Sequence, residues 1–144
     1  MVSKACEHGI RAVIYIAAQS FEGKRAKIAD IVQHSGSPEA FTAKVLGELT
    51  KHRIIQSHTG PRGGFEMNAE KLKTIHIGHI VQAIDGEALY INCGLGLSQC
   101  NAMYPCPVHD KYVIIRNEIK EMHITTTIFE LAMAYRSGKT VLSR

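Results

Sequence analysis

The sequence predicts a mainly α-helical fold with one small β-hairpin. Apolar residues recur at helical spacing in several separate segments, and two short β-prone runs flank a turn rich in glycine and proline. The length of 144 residues and a hydrophobic content of 45% suffice for one packed domain. No apolar run approaches the roughly 18 residues needed to span a bilayer. A helical domain that does not enter a membrane is therefore expected.

The first three helices are predicted over residues 5–21, 27–35 and 37–51. The apolar face of the first helix comprises Cys6, Ile10, Val13, Ile14, Ala17 and Phe21. Ser37 and Pro38 fit the cap and the first helical residue of the third helix. The apolar stripe of that helix comprises Phe41, Val45, Leu46 and Leu49.

A β-hairpin is predicted directly after the third helix. Residues 54–58 and 65–67 have strand character, and Gly60-Pro61-Arg62-Gly63-Gly64 forms the turn between them. Helix, short helix, helix and hairpin is the element order of a winged helix-turn-helix. The fold class is thus mainly α with a small β-hairpin wing.

The second half of the chain is predicted to hold helices over 75–85, 107–122 and 126–136. Cys106-Pro107 is expected to open the long helix, because proline suits a first helical turn. The apolar seam of this helix steps by 4, 3, 4 and 3 residues and comprises Val108, Tyr112, Ile115, Ile119 and Met122. Such a two-heptad seam predicts packing against a two-fold mate, and hence a homodimer.

Four units follow from these assignments. Residues 1–86 are expected to form the winged domain, 87–106 a ligand-binding loop, 107–136 the dimerisation helix with a short last helix, and 137–144 a flexible tail. The charged N-terminus lacks a signal-peptide pattern, so a soluble, cytoplasmic protein without membrane contact is expected.

A polyanionic partner is compatible with the charge of +4, and residues 1–66 hold nine Lys and Arg against six Asp and Glu. Double-stranded DNA with a near-palindromic operator is the expected partner of a dimer. The candidate contacts on the third helix are Ser37, Glu39, Ala40, Thr42, Ala43 and Lys44, and those on the wing are Thr59, Gly60, Arg62 and Gly63. Small residues let a helix backbone approach the major groove, and Arg62 suits a narrow minor groove. The alternative is that Lys44 and Arg62 are ordinary solvated charges.

A loop with three cysteines is the second candidate site. Cys93, Cys100, Cys106 and His109 follow the pattern Cys-x6-Cys-x5-Cys-x2-His. Structural zinc sites usually have two tight Cys-x2-Cys knuckles, which this loop lacks. Iron–sulfur clusters are larger and tolerate wider spacing. The loop therefore favours a cluster over zinc, with zinc or no metal as the alternative.

The sequence resembles the winged-helix regulators that include the iron–sulfur biogenesis regulator IscR and the nitric-oxide sensor NsrR. The resemblance lies in Ile28–Ile31, Phe41–Leu49 and the wing motif Gly60–Phe65, and the three cysteines fall at the family's sensor position. It implies a dimeric transcription regulator whose operator affinity depends on a cluster that senses redox state, nitric oxide or iron–sulfur status. Thr59 stands where many relatives carry a basic residue, which leaves Arg62 as the only cation of the tip.

The resemblance also suggests the fourth ligand. In the IscR-like branch a histidine at the position of His109 completes a [2Fe–2S] site, which favours [2Fe–2S] over [4Fe–4S]. In the NsrR-like branch an acidic residue from the partner subunit matches Glu7. The alternatives are that His109 only decorates its helix start and that Glu7 pairs with Arg11 on its own helix. No acid, base and pocket accompany the cysteines, so an enzyme is not expected.

Overall fold

A computed structural model describes all residues, 1–144. It contains eight α-helices and one two-stranded antiparallel sheet. The elements are α1 (Lys4–Phe21), α2 (Ile28–Ser35), α3 (Glu39–Lys51), β1 (Gln56–His58), β2 (Gly64–Glu66), α4 (Ala69–Leu72), α5 (Ile77–Asp85), α6 (Ala88–Ile91), α7 (His109–Thr125) and α8 (Ile128–Arg136). None of the helices combines the length and the apolar character needed to cross a membrane. The predicted mainly helical fold with a hairpin wing is confirmed.

Helix α1 is the central helix of the fold. The Ser3 hydroxyl caps it by accepting a hydrogen bond from the Cys6 N–H at 3.1 Å. Every residue from Ala12 to Ala18 is buried, because α2, α3, α5 and α8 all pack around this stretch. The sequence predicted a single apolar face, and the structure shows a helix segment buried on all sides.

The wing is a hairpin with a third strand-like contact. β1 pairs with β2 in antiparallel register, and Ala26 exchanges two backbone hydrogen bonds of 2.8 Å with Phe65. Gly60 turns the chain with φ of +87°, which favours glycine. A Cβ on Gly63 would lie 2.7 Å from the His58 carbonyl oxygen, so that position has no room for a side chain. The backbone of the tip therefore favours glycine at both positions.

The start of α3 differs from the predicted one. Pro38 is the cap, with extended backbone at φ −61° and ψ 142°, and Glu39 is the first helical residue. Pro38 precedes the helix because its carbonyl accepts the first helical hydrogen bond, from the Thr42 N–H at 2.9 Å. Ser37 consequently lies in the turn between α2 and α3 rather than at the helix cap.

The long helix also begins later than predicted. Cys106 to Val108 form a turn closed by the His109 N–H, which donates to the Cys106 carbonyl at 3.0 Å. Pro107 lies within this turn, so α7 starts at His109 and runs three residues beyond the predicted end. The four-residue helices α4 and α6 were not predicted, since neither is long enough to show a period.

The C-terminal part of the chain does not pack as a separate unit. Ile128 and Ala132 of α8 are fully buried in the same core as α1 and α3. Leu142 also packs against that core, so the predicted flexible tail is in contact with the domain. Residues on both sides of position 86 therefore pack in one common core.

Candidate DNA interface and cysteine-loop site

One face of α3 is free of contacts with the rest of the chain. The residues on it are all exposed, and they are Glu39, Ala40, Ala43, Lys44 and Gly47. The opposite face is fixed in the core by Val45, Leu46 and Leu49. A Cβ built on Gly47 meets nothing within 4 Å. The exposed face is therefore low in relief, with a single cation, and has the shape that a major groove accepts.

Two candidate DNA contacts are buried, and the prediction for them is corrected. Ser37 is 4% exposed, and its hydroxyl hydrogen-bonds to Nδ1 of His8. Thr42 is 2% exposed, and its Oγ1 donates to the Pro38 carbonyl at 2.8 Å. Both hydroxyls are satisfied inside the protein, because the α2–α3 turn packs on α1 at this point. They stabilise the helix-turn-helix instead of reaching outward.

The wing tip presents Thr59, Gly60 and Arg62 at the surface, with Gly63 partly covered. The Arg62 side chain makes no ion pair within the chain. Its backbone carbonyl accepts a hydrogen bond of 2.8 Å from Nη1 of Arg25. Arg25 thus fixes the backbone of the tip, while the guanidinium of Arg62 has no ion-pair partner.

Sequence reasoning missed the cations that lie beneath the wing. Lys24, Arg25, Lys27 and Arg62 line an open groove of about 600 Å³ between the end of α1 and the hairpin. Arg25 also lies 3.4 Å from the Glu66 carboxylate. The run Gly23-Lys24-Arg25 lies between the first two helices and directly before Ala26, which pairs with the wing strand at Phe65, so this run places two cations beside the wing.

The Cys93 thiol is buried at the start of the cysteine loop. The side chain is 8% exposed. Hydrogen bonds from the N–H groups of Leu95 and Leu97 hold the pKa of the Cys93 thiol below its usual value, with smaller contributions from Cys106 and Gly96, and burial acts in the opposite direction. Such N–H groups stabilise a thiolate, which is the form that binds iron.

Two further candidate ligands of the loop lie close to each other. Sγ of Cys100 lies 3.5 Å from Nδ1 of His109. Cys106 contributes to the lowered pKa of the Cys93 thiol, which places these two cysteines near each other. All four cysteines are free thiols. No three Cys, His, Asp or Glu side chains are grouped closely enough to hold a single metal ion. The donors therefore converge as two pairs, Cys93 with Cys106 and Cys100 with His109.

Glu7 and Cys6 are neighbours on α1. Nζ of Lys4 donates to Glu7 at 2.9 Å and, as the largest cause, holds the pKa of that carboxyl below its usual range. Glu7 therefore pairs with Lys4 and not with Arg11, whose guanidinium hydrogen-bonds His8 at 2.7 Å. Burial raises the pKa of the Cys6 thiol to about 12, which leaves it an uncharged core residue.

The seam of α7 is exposed at its centre. Ile115 is 53% exposed, Met122 48% and Tyr112 37%. The ring of Tyr112 also covers the loop, because a Cβ on Gly94 would lie 2.5 Å from that ring. The cysteine loop and the seam are thus in direct contact.

A family model described as iron-dependent transcriptional regulator, Rrf2, matches residues 2–134. The chain belongs to the Rrf2 family. A protein of Aquifex aeolicus (strain VF5) described as an HTH-type transcriptional regulator is 31% identical over 131 residues, which cover 90% of this chain and 89% of that protein. The regulator IscR of Vibrio vulnificus (strain YJ016) is 24% identical over 86% of this chain and 72% of its own length.

Solved structures of Rrf2-like regulators share the fold. CymR, the global cysteine regulator of B. subtilis, superposes with a TM-score of 0.75 at 19% identity, covering 92% of this chain and 96% of that one. T. potens IscR gives a TM-score of 0.73 at 17% identity, covering 99% and 93%. This Rrf2 protein is a transcriptional regulator, and its relatives are regulators rather than enzymes.

Proposed function

We propose that this Rrf2 regulator binds its operator as a homodimer with an affinity set by an iron–sulfur cluster. Cys93, Cys100 and Cys106 are the cysteine ligands, and His109 is the fourth. The observation that carries the proposal is the Cys93 sulfur, which is buried and accepts hydrogen bonds from backbone N–H groups. This surrounding stabilises a thiolate in a loop that also holds the close pair of Cys100 and His109.

The pairing of the donors supports a [2Fe–2S] cluster over a zinc ion. One zinc ion needs four ligands at about 2.0 to 2.3 Å, and no such group exists. A two-iron cluster takes two protein ligands on each iron, which matches two separate pairs. Glu7 of a partner subunit is the alternative fourth ligand, and it would first have to leave Lys4.

When bound, the cluster supplies a redox-sensitive centre that exchanges one electron or is lost to an oxidant. Residues of this chain set the lability of the cluster and connect the loop to the seam of α7. His109 is a more easily protonated or displaced ligand than a thiolate, which favours lability. Gly94 and Tyr112 connect the loop to the seam, so a change in loop order reaches the contact between two copies of α7.

The DNA-binding part of the proposal rests on α3 and the wing. In the dimer, two copies of the exposed α3 face enter successive major grooves of a near-palindromic site. Glu39, Ala40, Ala43 and Lys44 are the proposed groove contacts, and the wing tip from Thr59 to Gly63 is proposed to lie along the adjacent minor groove. Lys24 and Lys27 add phosphate contacts that the sequence did not suggest.

Anaerobic purification tests the function directly. The expected result is a coloured protein with visible charge-transfer absorption and about two iron and two sulfide per chain. Mössbauer spectra of the reconstituted protein separate [2Fe–2S] from [4Fe–4S]. A colourless protein that holds stoichiometric zinc after reconstitution would reject the cluster and leave a zinc-containing regulator.

Replacing Arg62 by Ala is expected to weaken operator binding by at least about tenfold for each wing tip that loses its contact, and to flatten the salt dependence. The reason is the loss of a free cation at each wing tip, where a hydrogen bond to a charged group contributes about 1.5 to 3 kcal/mol. The slope of log K against log salt should fall by about 1 for each lost contact. The measurement is fluorescence anisotropy from low to physiological salt, on an operator selected from random duplexes with the wild-type protein.

The matched control is Lys120→Ala, which removes a cation on α7 that lies over the Tyr90 ring. This variant should keep the wild-type salt slope. Identical curves for Arg62→Ala and wild type would show that the wing tip does not touch DNA.

A further inference from the structure

Arg116 connects two points of the cysteine loop to helix α7. Its Nη1 donates to the Asn92 carbonyl at 2.7 Å and lies 3.5 Å from Sγ of Cys100. Asn92 directly precedes Cys93 in the chain. One guanidinium therefore contacts the backbone beside the first cysteine and the sulfur of the second.

The surroundings of Arg116 lack the anion that its charge requires. Its Nε is buried and has no hydrogen-bond partner, and no carboxylate pairs with its guanidinium. A guanidinium stays charged in proteins, and a partly buried charge is costly unless it is paired. The nearest side chain able to carry negative charge is Cys100. A thiolate at Cys100 would give the Arg116 guanidinium the anionic partner that it otherwise lacks.

We propose that Arg116 is a positioning residue that holds the cysteine loop and raises the reduction potential of the bound cluster. The inference rests on the proposed cluster and adds a residue outside the ligand set. Three thiolates give the site negative charge, and reduction adds one electron to it. A cation that donates a hydrogen bond to the Cys100 sulfur favours the reduced state, because hydrogen bonds to sulfur and net charge both set the potential.

The first test compares midpoint potentials of reconstituted wild type, Arg116→Gln and Arg116→Lys, with Arg136→Gln as the control. Arg136 is an exposed arginine of α8 that covers the Phe21 ring and is outside the loop. Anaerobic optical titration with dithionite and mediators measures the reduced and oxidised forms. Arg116→Gln should favour the oxidised form about tenfold, a shift of about 59 mV to lower potential for one electron.

Arg116→Lys should restore part of this shift, since it keeps the charge without the planar fork that reaches two acceptors. If Arg116→Gln fails to load the cluster, Arg116→Lys carries the comparison of potentials. A loaded Arg116→Gln protein with the wild-type potential would overturn the tuning role, and so would Arg116→Lys with the full wild-type potential if Arg116→Gln does not load.

The second test uses metal-free, reduced protein and is independent of the cluster. Chymotrypsin can cleave the loop after Leu95, Leu97 and Met103, which are 55%, 55% and 83% exposed. Arg116→Gln should be cleaved there several-fold faster than wild type, because the Asn92 carbonyl and the Cys100 sulfur are no longer held. Equal cleavage rates would overturn the positioning role. Faster cleavage in a chain that never becomes coloured would keep that role and reject only the cluster.

Discussion

Cys93→Ala is expected to abolish cluster binding, and with it the dependence of operator affinity on reconstitution. Cys93 is the buried cysteine of the loop, and hydrogen bonds from the N–H groups of Leu95 and Leu97 favour its thiolate by holding the pKa of the thiol below its usual value. A coupling free energy of 1 to 3 kcal/mol is typical of such switches, so wild-type affinity should change about 5- to 150-fold with the cluster. In Cys93→Ala the ratio should be about 1. Anaerobic absorption and anisotropy on the same samples measure both quantities.

Cys6→Ala is the matched control for this prediction. Cys6 is also buried, but it lies on α1 within the core and its thiol is uncharged, with a pKa of about 12. The control should therefore keep the wild-type spectrum and the wild-type affinity ratio. A Cys93→Ala protein that still gains full visible absorbance would remove Cys93 from the ligand set.

The order of the helices and the wing could be predicted from sequence because each depends on local signals. Helical periodicity of apolar residues and the glycines of the tip act over a few residues. The tip is the clearest case, since Gly60 needs its positive φ and Gly63 has no room for a Cβ.

The features that sequence missed depend on contacts between distant segments. The outward face of α3 followed from its period, but the burial of Ser37 depends on His8, which lies 29 residues earlier. Arg116 resembles any helix-surface arginine until the fold places it against Asn92 and Cys100. Likewise, α8 packs in the same core as α1, and no local sequence pattern predicts that contact.

Ile115→Glu is expected to convert the protein to a monomer and to weaken operator binding by about 10²- to 10⁴-fold. Ile115 is 53% exposed at the centre of the α7 seam, where Tyr112 and Met122 extend the same apolar surface. Burying a carboxylate there without a partner is unfavourable. Once the dimer is lost, binding at the second half-site is no longer intramolecular, which removes the gain in effective concentration. Sedimentation equilibrium measures the association, and anisotropy measures the affinity.

Ile124→Glu provides a stringent control, because it makes the same substitution on the same helix. Ile124 is 49% exposed and lies nine residues from Ile115, two and a half helical turns, so the two side chains are on opposite faces. If the seam is the dimer interface, Ile124→Glu remains dimeric while Ile115→Glu does not. Both should keep the wild-type thermal unfolding of the single chain, since neither side chain is in the core. Dissociation of the Ile124 variant alone would place the interface on the face of α7 that borders α5 and α6.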